Sequence, residues 1–296
     1  DVENIQGSEF SDTLGGDDTS NQLLGGQGQD ILVGLEGEDT LEGEDGNDTL
    51  EGGADADSLD GGAGIDTASY ANSSAAVSVD LGTGLTSGAD ATGDVFSSIE
   101  NLEGSGFADT LTGNAANNVI SGLAGTDILS GGAGEDTLDG GFDDDELAGG
   151  RGADVLIGGE GEDLATYFAS NAAVLVNLQS GSAFGGEADG DTLFEIENVT
   201  GSSFDDTLIG DDFSNALAGN AGDDQISGGI GADILDGGSG IDLATYAGST
   251  AGVSVNLALG LGAGGDAHGD RLLGIENVDG SLFGDTLTGN AVSNVL

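Results

Sequence analysis

Residues 25–69 read GGQGQDILV, GLEGEDTLE, GEDGNDTLE, GGADADSLD and GGAGIDTAS, five consecutive nonamers in which glycine opens each unit and aspartate closes each six-residue turn. Self-similarity at a fixed period marks a repeat architecture. Working outward, the same phase starts earlier, at Gly7 and Gly16, so the first block holds seven units. A second block of seven starts at Gly104 and ends with the unit at Gly158; a third, of five, runs from Gly201 to the unit at Gly237; a fourth starts at Gly280 and breaks off at Leu296. Of these 21 units, 17 carry Asp at the sixth position and four carry Asn, namely Asn21, Asn118, Asn215 and Asn294, each in the second unit of its block. Phe10, Phe107, Phe204 and Phe283 replace the fourth-position glycine of each first unit. Blocks therefore open with a recipe of their own.

Three spacers of 34 residues separate the blocks. The chain divides into 1–69 (a spacer tail and the first block), 70–103, 104–166, 167–200, 201–245, 246–279 and 280–296. The spacers are copies of one another: each opens on Tyr70, Tyr167 or Tyr246 and closes on SIENLEGS, EIENVTGS or GIENVDGS. The opening DVENIQGS reads as the tail of a further spacer, as expected of a piece cut from a longer array. Tyr70 and Tyr167 lie 97 residues apart and Tyr167 and Tyr246 lie 79 apart, a difference of two units, so units are expected to be gained or lost in pairs.

Each nonamer splits into a GGxGxD turn and three strand-like residues with one apolar side chain in the middle. Leu14, Leu23, Leu32, Leu41, Leu50 and Leu59 hold that place in the first block, and Leu129, Leu138, Leu147 and Leu156 in the second. Two units then make one coil of two short strands on opposite walls, and turns 18 residues apart stack at about the 4.8 Å spacing of neighbouring strands. Asp30, Asp48 and Asp66 are placed along one edge, Asp39 and Asp57 along the other. At about 5 Å, with an effective dielectric of about 20, each such pair repels by on the order of 3 kcal/mol.

The 56 acidic residues face two arginines, a formal charge of −54, so compaction demands cations. Without basic patches there is nothing to track phosphates, which excludes nucleic acid, and no apolar run is long enough to insert in a membrane. Sixty glycines with no cysteine leave metal as the staple, and the bland alternative for the metal-free chain is disorder. Carboxylates and turn carbonyls, with no His or Cys among them, select Ca2+ over zinc or copper, and magnesium fits worse because it demands tight octahedral geometry.

Tandem GGxGxDxLx is the signature of RTX proteins, the haemolysin-type calcium-binding repeats, and the resemblance covers essentially the whole chain. It implies an all-β fold, a right-handed parallel β-roll stapled by calcium, here with three 34-residue spacer insertions. It further implies a secreted, extracellular bacterial protein that passes a type I secretion channel and folds outside the cell. Turns with a same-edge neighbour give 13 candidate sites, of which about half look well formed, hence about 7 to 13 calcium ions. The candidate ligands are Asp30, Asp39, Asp48, Asp57, Asp66, Asp127, Asp136, Asp145, Asp154, Asp163, Asp224, Asp233 and Asp242. With them go the turn glycines Gly25, Gly28, Gly34, Gly37, Gly43, Gly46, Gly61, Gly64, Gly131, Gly134, Gly149, Gly152, Gly158, Gly161, Gly219, Gly222, Gly237 and Gly240. Thr19, Asp55, Ala116, Asp143 and Phe213 take the fourth-position glycine's place and weaken their turns, the two aspartates least, since Asp tolerates left-handed backbone.

No Ser-His-Asp set, cysteine nucleophile or phosphate loop occurs, so no catalysis is expected within the chain. The rival settings are the stalk of an adhesin or surface-layer protein, with a cell-surface or polysaccharide partner, and the C-terminal tail of a secreted hydrolase or epimerase. Asp94, Asp191 and Asp270, with Glu100, Glu197 and Glu276, recur in register and are weighed as extra calcium ligands against plain surface charge. The three tyrosines are expected to cap or pack, and the four phenylalanines to plug the roll. His268, Arg151 and Arg271 read as solvated surface. VSVDL and IENL are expected to join the walls, with a loop from Gly82 to Thr92 between them.

Overall fold

A computed structural model of the chain describes residues 4–296. Asp1, Val2 and Glu3, the start of the expected spacer tail, lie outside the described residues. Two compact units are present: the chain through Leu147 with Gly159–Gly161, and Ala148–Gly158 with Glu162–Leu296. Both are parallel β-roll. Among the described residues there is no α-helix, only two short 3-10 turns at Gly186–Ala188 and Gly265–Ala267.

In the first unit, one wall stacks Asn4–Gln6, Gln22–Gln27, Thr40–Asp45 and Ser58–Asp60 in parallel, and the opposite wall stacks Thr13–Gly15, Ile31–Glu36, Thr49–Ala54 and Thr67–Ser69. The register is 18 residues throughout, Leu23 opposite Leu41 and Leu32 opposite Leu50, so each coil is two nonamers. In the second unit Leu208 pairs with Ile226 and Leu217 with Leu235 in the same way. The apolar middle positions form the core: Leu23, Leu32, Leu41 and Leu50 are fully buried, while Leu14 in the first coil and Leu287 in the fourth block are half-buried. Burying a leucine completely stabilises the fold by about 1.5–3 kcal/mol, and each coil contributes two such positions.

Inside the first two blocks, though not at their ends, strands are longer than the three residues expected. Gln22–Gln27, Ile31–Glu36 and Thr40–Asp45 run six residues, because the first glycine of the next unit stays extended and points inward as a second buried position. The residue after it turns at positive φ. Glycine often stands there, but Leu35 (φ 86°), Glu44 (71°), Leu123 (75°) and Asn220 (75°) take the same left-handed backbone, at a cost of about 1–2 kcal/mol each. Leu35 is exposed, so its side chain offers little packing in return. Leu35→Gly is expected to raise stability by about 1 kcal/mol, seen as a higher thermal midpoint in calcium; a lower midpoint would show that the leucine packs usefully.

The spacers join the walls, but Gly82–Thr92 is not a plain loop. It holds Leu85–Gly88, which runs antiparallel to Val77–Asp80. Val77–Asp80 in turn pairs with Thr110–Thr112 of the following block, while Val95–Ser97 pairs with Ser58–Asp60 of the preceding one. The chain thus overshoots, doubles back and resumes. On the opposite wall Asn101–Glu103 alone bridges Thr67–Ser69 and Val119–Ala124. Sequence alone reads residues 82–92 as loop because glycine is frequent there, whereas the alternation of outward Leu85 and Ser87 with inward Thr86 belongs to a strand.

The second unit contains two further copies of this hairpin. Leu175–Asn177 and Ser182–Phe184 form one, in the wall of Thr207–Ile209 and Gln225–Ser227. Ser254–Asn256 and Leu261–Ala263 form the other, in the opposite wall with Ile234–Asp236 next along through Arg271–Leu273. Successive nonamers alternate between walls, and an odd number of them, five, lies between these two spacers.

Candidate metal sites

The sixth-position aspartates supply most of the buried acids among the described residues. Asp30, Asp39, Asp48, Asp57, Asp66, Asp127, Asp136, Asp145, Asp154, Asp163, Asp224, Asp233 and Asp242 are all at most 3% exposed. Their arrangement is a ladder along each edge. The Asp30 N–H donates to Asp48 Oδ1 at 2.8 Å, the Asp48 N–H to Asp66 Oδ1 at 2.7 Å, and on the other edge the Asp39 N–H to Asp57 Oδ1 at 2.8 Å. Asp127 continues it by donating to Asp145 Oδ1 at 2.8 Å, and Asp224 to Asp242 Oδ1 at 2.9 Å. One oxygen of each carboxylate is therefore satisfied by the coil before it.

The other oxygen is not. Oδ2 of Asp30, Asp39, Asp48, Asp57, Asp66, Asp127, Asp224, Asp233 and Asp242 is fully buried with no hydrogen-bond partner. Such an atom costs about 1–3 kcal/mol, more when charged, unless something else meets it. Each Oδ2 faces the first glycine of its own turn. A Cβ on Gly25 would lie 2.5 Å from Asp30 Oδ2 and 2.7 Å from Gly43 O, so a carboxylate oxygen and a main-chain carbonyl converge where glycine leaves room. Among the described residues no three His, Cys, Asp or Glu side chains gather at one point, so an ion here takes few carboxylates and completes its shell from carbonyls or water. An all-oxygen set with unneutralised buried charge fits calcium.

The glycines named from sequence fall into two roles. The first-position set runs extended beneath the carboxylate, as at Gly25, Gly34, Gly43, Gly61, Gly149, Gly158, Gly219 and Gly237. Of the fourth-position set, Gly28, Gly37, Gly64, Gly134, Gly152, Gly222 and Gly240 turn at φ between 119° and 156°. Asp55 and Asp143 substitute there at φ 83° and 75°, the left-handed backbone anticipated for them.

Burial, more than repulsion, makes these acids unhappy as anions. It pushes the carboxyls of Asp57 and Asp127 up to about 7, and of Asp66, Asp224 and Asp233 up to about 6, against the opposing help of the N–H below; neighbouring carboxylates add a smaller upward push. Asp39, Asp48 and Asp242 are raised for the same leading reason. Because the folded chain holds these protons more tightly than the unfolded one, the metal-free fold has their full stabilisation below about pH 4 and loses it as pH rises through about 6 to 7. A chelated sample taken from pH 8 to pH 5, above the isoelectric point of about 4.1, is therefore expected to regain β-sheet circular dichroism. A chelated chain that loses further structure on acidification would contradict this.

The spacer acids answer to the block below them. Asp94 Oδ1 accepts the Asp57 N–H at 2.9 Å and its Oδ2 the Tyr70 hydroxyl at 2.7 Å; Asp191 does the same with Asp154 (2.9 Å) and Tyr167 (3.1 Å), and Asp270 with Asp233 (3.1 Å) and Tyr246 (2.8 Å). Glu100, Glu197 and Glu276 accept the N–H of Asp66, Asp163 and Asp242 at 2.9–3.0 Å. Both oxygens of each spacer aspartate are thus met by protein donors and the side chains are buried, so the aspartates cap the block rather than stand as plain surface charge. The signal is present in sequence as a Tyr–Asp spacing of 24 residues repeated three times.

The phenylalanines do not plug the roll. Phe10, Phe107, Phe204 and Phe283 are 77, 46, 43 and 56% exposed, because the Ser105 hydroxyl and its counterparts take the Phe N–H and turn the ring outward. His268 and Arg271 are exposed, and exposed Arg151 reaches Glu187 only at 3.9 Å.

The sequence matches the family model of the RTX calcium-binding nonapeptide repeat (4 copies) over residues 1–32, 33–68, 103–138, 139–165 and 209–244. No curated protein matches the chain. Matched over more than half its length, and with its repeat acids buried in register on a parallel β-roll, the chain belongs to the RTX calcium-binding nonapeptide repeat family and is a calcium-binding repeat region.

Proposed function

We propose that the chain is a calcium-triggered folding region of a secreted bacterial protein: unfolded at low cytosolic calcium, able to thread a type I secretion channel, and folded on meeting roughly millimolar calcium outside. The observation that carries this reading is the row of buried, unpartnered Oδ2 atoms, which makes the folded state dependent on something the chain does not supply. The sixth-position aspartates would hold the ions, about 7 to 13 of them, together with carbonyls freed by the glycine turns. Bound calcium supplies charge neutralisation and cross-linking between successive coils. No catalytic step belongs to this reading, since the same acids recur in every copy, and the stalk and the secreted-enzyme tail remain settings for the region rather than activities of it. No helix among the described residues is long and apolar enough to cross a membrane.

The test is export of the chain by a type I channel into medium with and without calcium. Secretion that accelerates with external calcium supports the proposal; a rate indifferent to calcium, in a chain that folds equally well without it, overturns it.

A further inference from the structure

The sixth-position side chain meets two different surroundings. In the later units of the first three blocks it is Asp, and Oδ2 of Asp30, Asp39, Asp48, Asp127, Asp224 and Asp233 among them is buried without a partner; in the first two units it is met by the protein itself. In first units the second-position serine does this. The hydroxyls of Ser105, Ser202 and Ser281 donate to Asp109, Asp206 and Asp285 Oδ1 at 2.9, 2.8 and 2.6 Å, and Ser8 donates to Asp12 Oδ2 at 2.8 Å. The backbone N–H of Ser8, Ser105 and Ser202 donates to Oδ2 of Asp12, Asp109 and Asp206.

In second units asparagine replaces the acid. Its Oδ1 accepts the second-position N–H, from Asp17 to Asn21, Asn114 to Asn118, Asp211 to Asn215 and Asn290 to Asn294, at 2.6–2.9 Å. Its Nδ2 donates where an anion would need a cation: Asn118 to Glu100 O at 2.5 Å, Asn215 to Glu197 O at 2.8 Å and Asn294 to Glu276 O at 2.7 Å. The fourth-position N–H of Thr19, Ala116, Phe213 and Val292 is taken by the second-position side chain, which lets those turns dispense with glycine. None of these eight acids or amides is among those with a buried, unpartnered oxygen.

We infer that the opening coil of each block is built to close without metal, the asparagine amide on one edge and the serine hydroxyl on the other standing in for the cation, so that calcium binding starts only with the coil that follows. The inference rests on the reading that the later aspartates hold calcium. It also explains how the opening turns manage without a fourth-position glycine, and why the coil that must dock on a spacer carries a neutral side chain: an Asp at 118 would set a carboxylate against the Glu100 carbonyl.

The experiment has two arms on the full chain. In calcium-grown crystals, an anomalous map is expected to show ions at the turns of Asp127 and Asp136 and none bonded to the side-chain oxygens of Asp109 or Asn118. Converting the second unit of the second block to the full pattern, with Asn114→Gly, Ala116→Gly and Asn118→Asp, is expected to add one calcium per chain, counted by atomic absorption after equilibrium dialysis, and one anomalous peak. A peak on Asn118 in the unaltered chain overturns the inference, as does an unchanged count in a variant that still folds; should the variant not fold, the unaltered chain's map decides. A chain with no calcium at Asp127 or Asp136 would instead sink the functional reading beneath it.

Discussion

Dialysed against chelator at pH 7.4, the chain is expected to lose its parallel sheets altogether and to regain them in millimolar calcium. Nine buried Oδ2 atoms lack any donor, and at about 1–3 kcal/mol each they sum to on the order of 10–25 kcal/mol. A folded domain has only about 5–15 kcal/mol in hand. The penalty exceeds the reserve, so partial loosening is not the expected result. Far-ultraviolet circular dichroism and small-angle scattering check it together: a spectrum of disorder and an expanded radius without calcium, a sheet spectrum and a compact radius with it. A compact β-sheet that survives exhaustive chelation at this pH would mean that protons or water meet the orphaned oxygens well enough.

The second large effect is expected from a single methyl group. A Cβ on Gly46 would overlap the carbonyl oxygen of Gly28 directly beneath it. Neither strand can yield easily, since the Gly28 N–H donates to Asp45 O and the Gly46 N–H to Ala63 O, both at 2.9 Å. Gly46→Ala must break part of that ladder, at a cost of about 3 kcal/mol or more, and the neighbouring coils should need at least tenfold more calcium to fold. Gly248, in the third spacer, has no atom within 4 Å of its would-be Cβ and no left-handed backbone. Gly248→Ala should therefore leave the calcium midpoint unchanged or lower it slightly, by about 0.4–1 kcal/mol in stability. Equal effects at the two positions would show that glycine content as such, rather than close stacking at the turns, governs folding.

The nonamer phase makes the coil legible because it fixes two things at once, an inward leucine and an edge acid. Leu23 stacked on Leu41 and Asp30 stacked on Asp48 follow from the same count of 18. Less can be read where one residue type serves two backbones. Gly25 and Gly28 look alike in the sequence, yet the first is extended and buried under Asp30 while the second turns at φ 130°, so the pattern underestimates strand length. Charge counting likewise points toward repulsion between stacked acids, whereas the amide ladder relieves half of each carboxylate and desolvation of the other half dominates. The rings of Phe10 and Phe107 are misplaced when apolar character is taken for burial, because a serine two residues earlier decides their direction.

The hairpins of the second unit stand on opposite walls because five nonamers separate them. Parity therefore matters more than length. Adding or deleting one whole coil between two spacers keeps their facing, while a nine-residue change would swing every downstream hairpin to the other side and re-sort which edge of the roll each later aspartate serves. The two complete spacer-to-spacer intervals differ by two units, one whole coil, which is a change of length that leaves the facing intact.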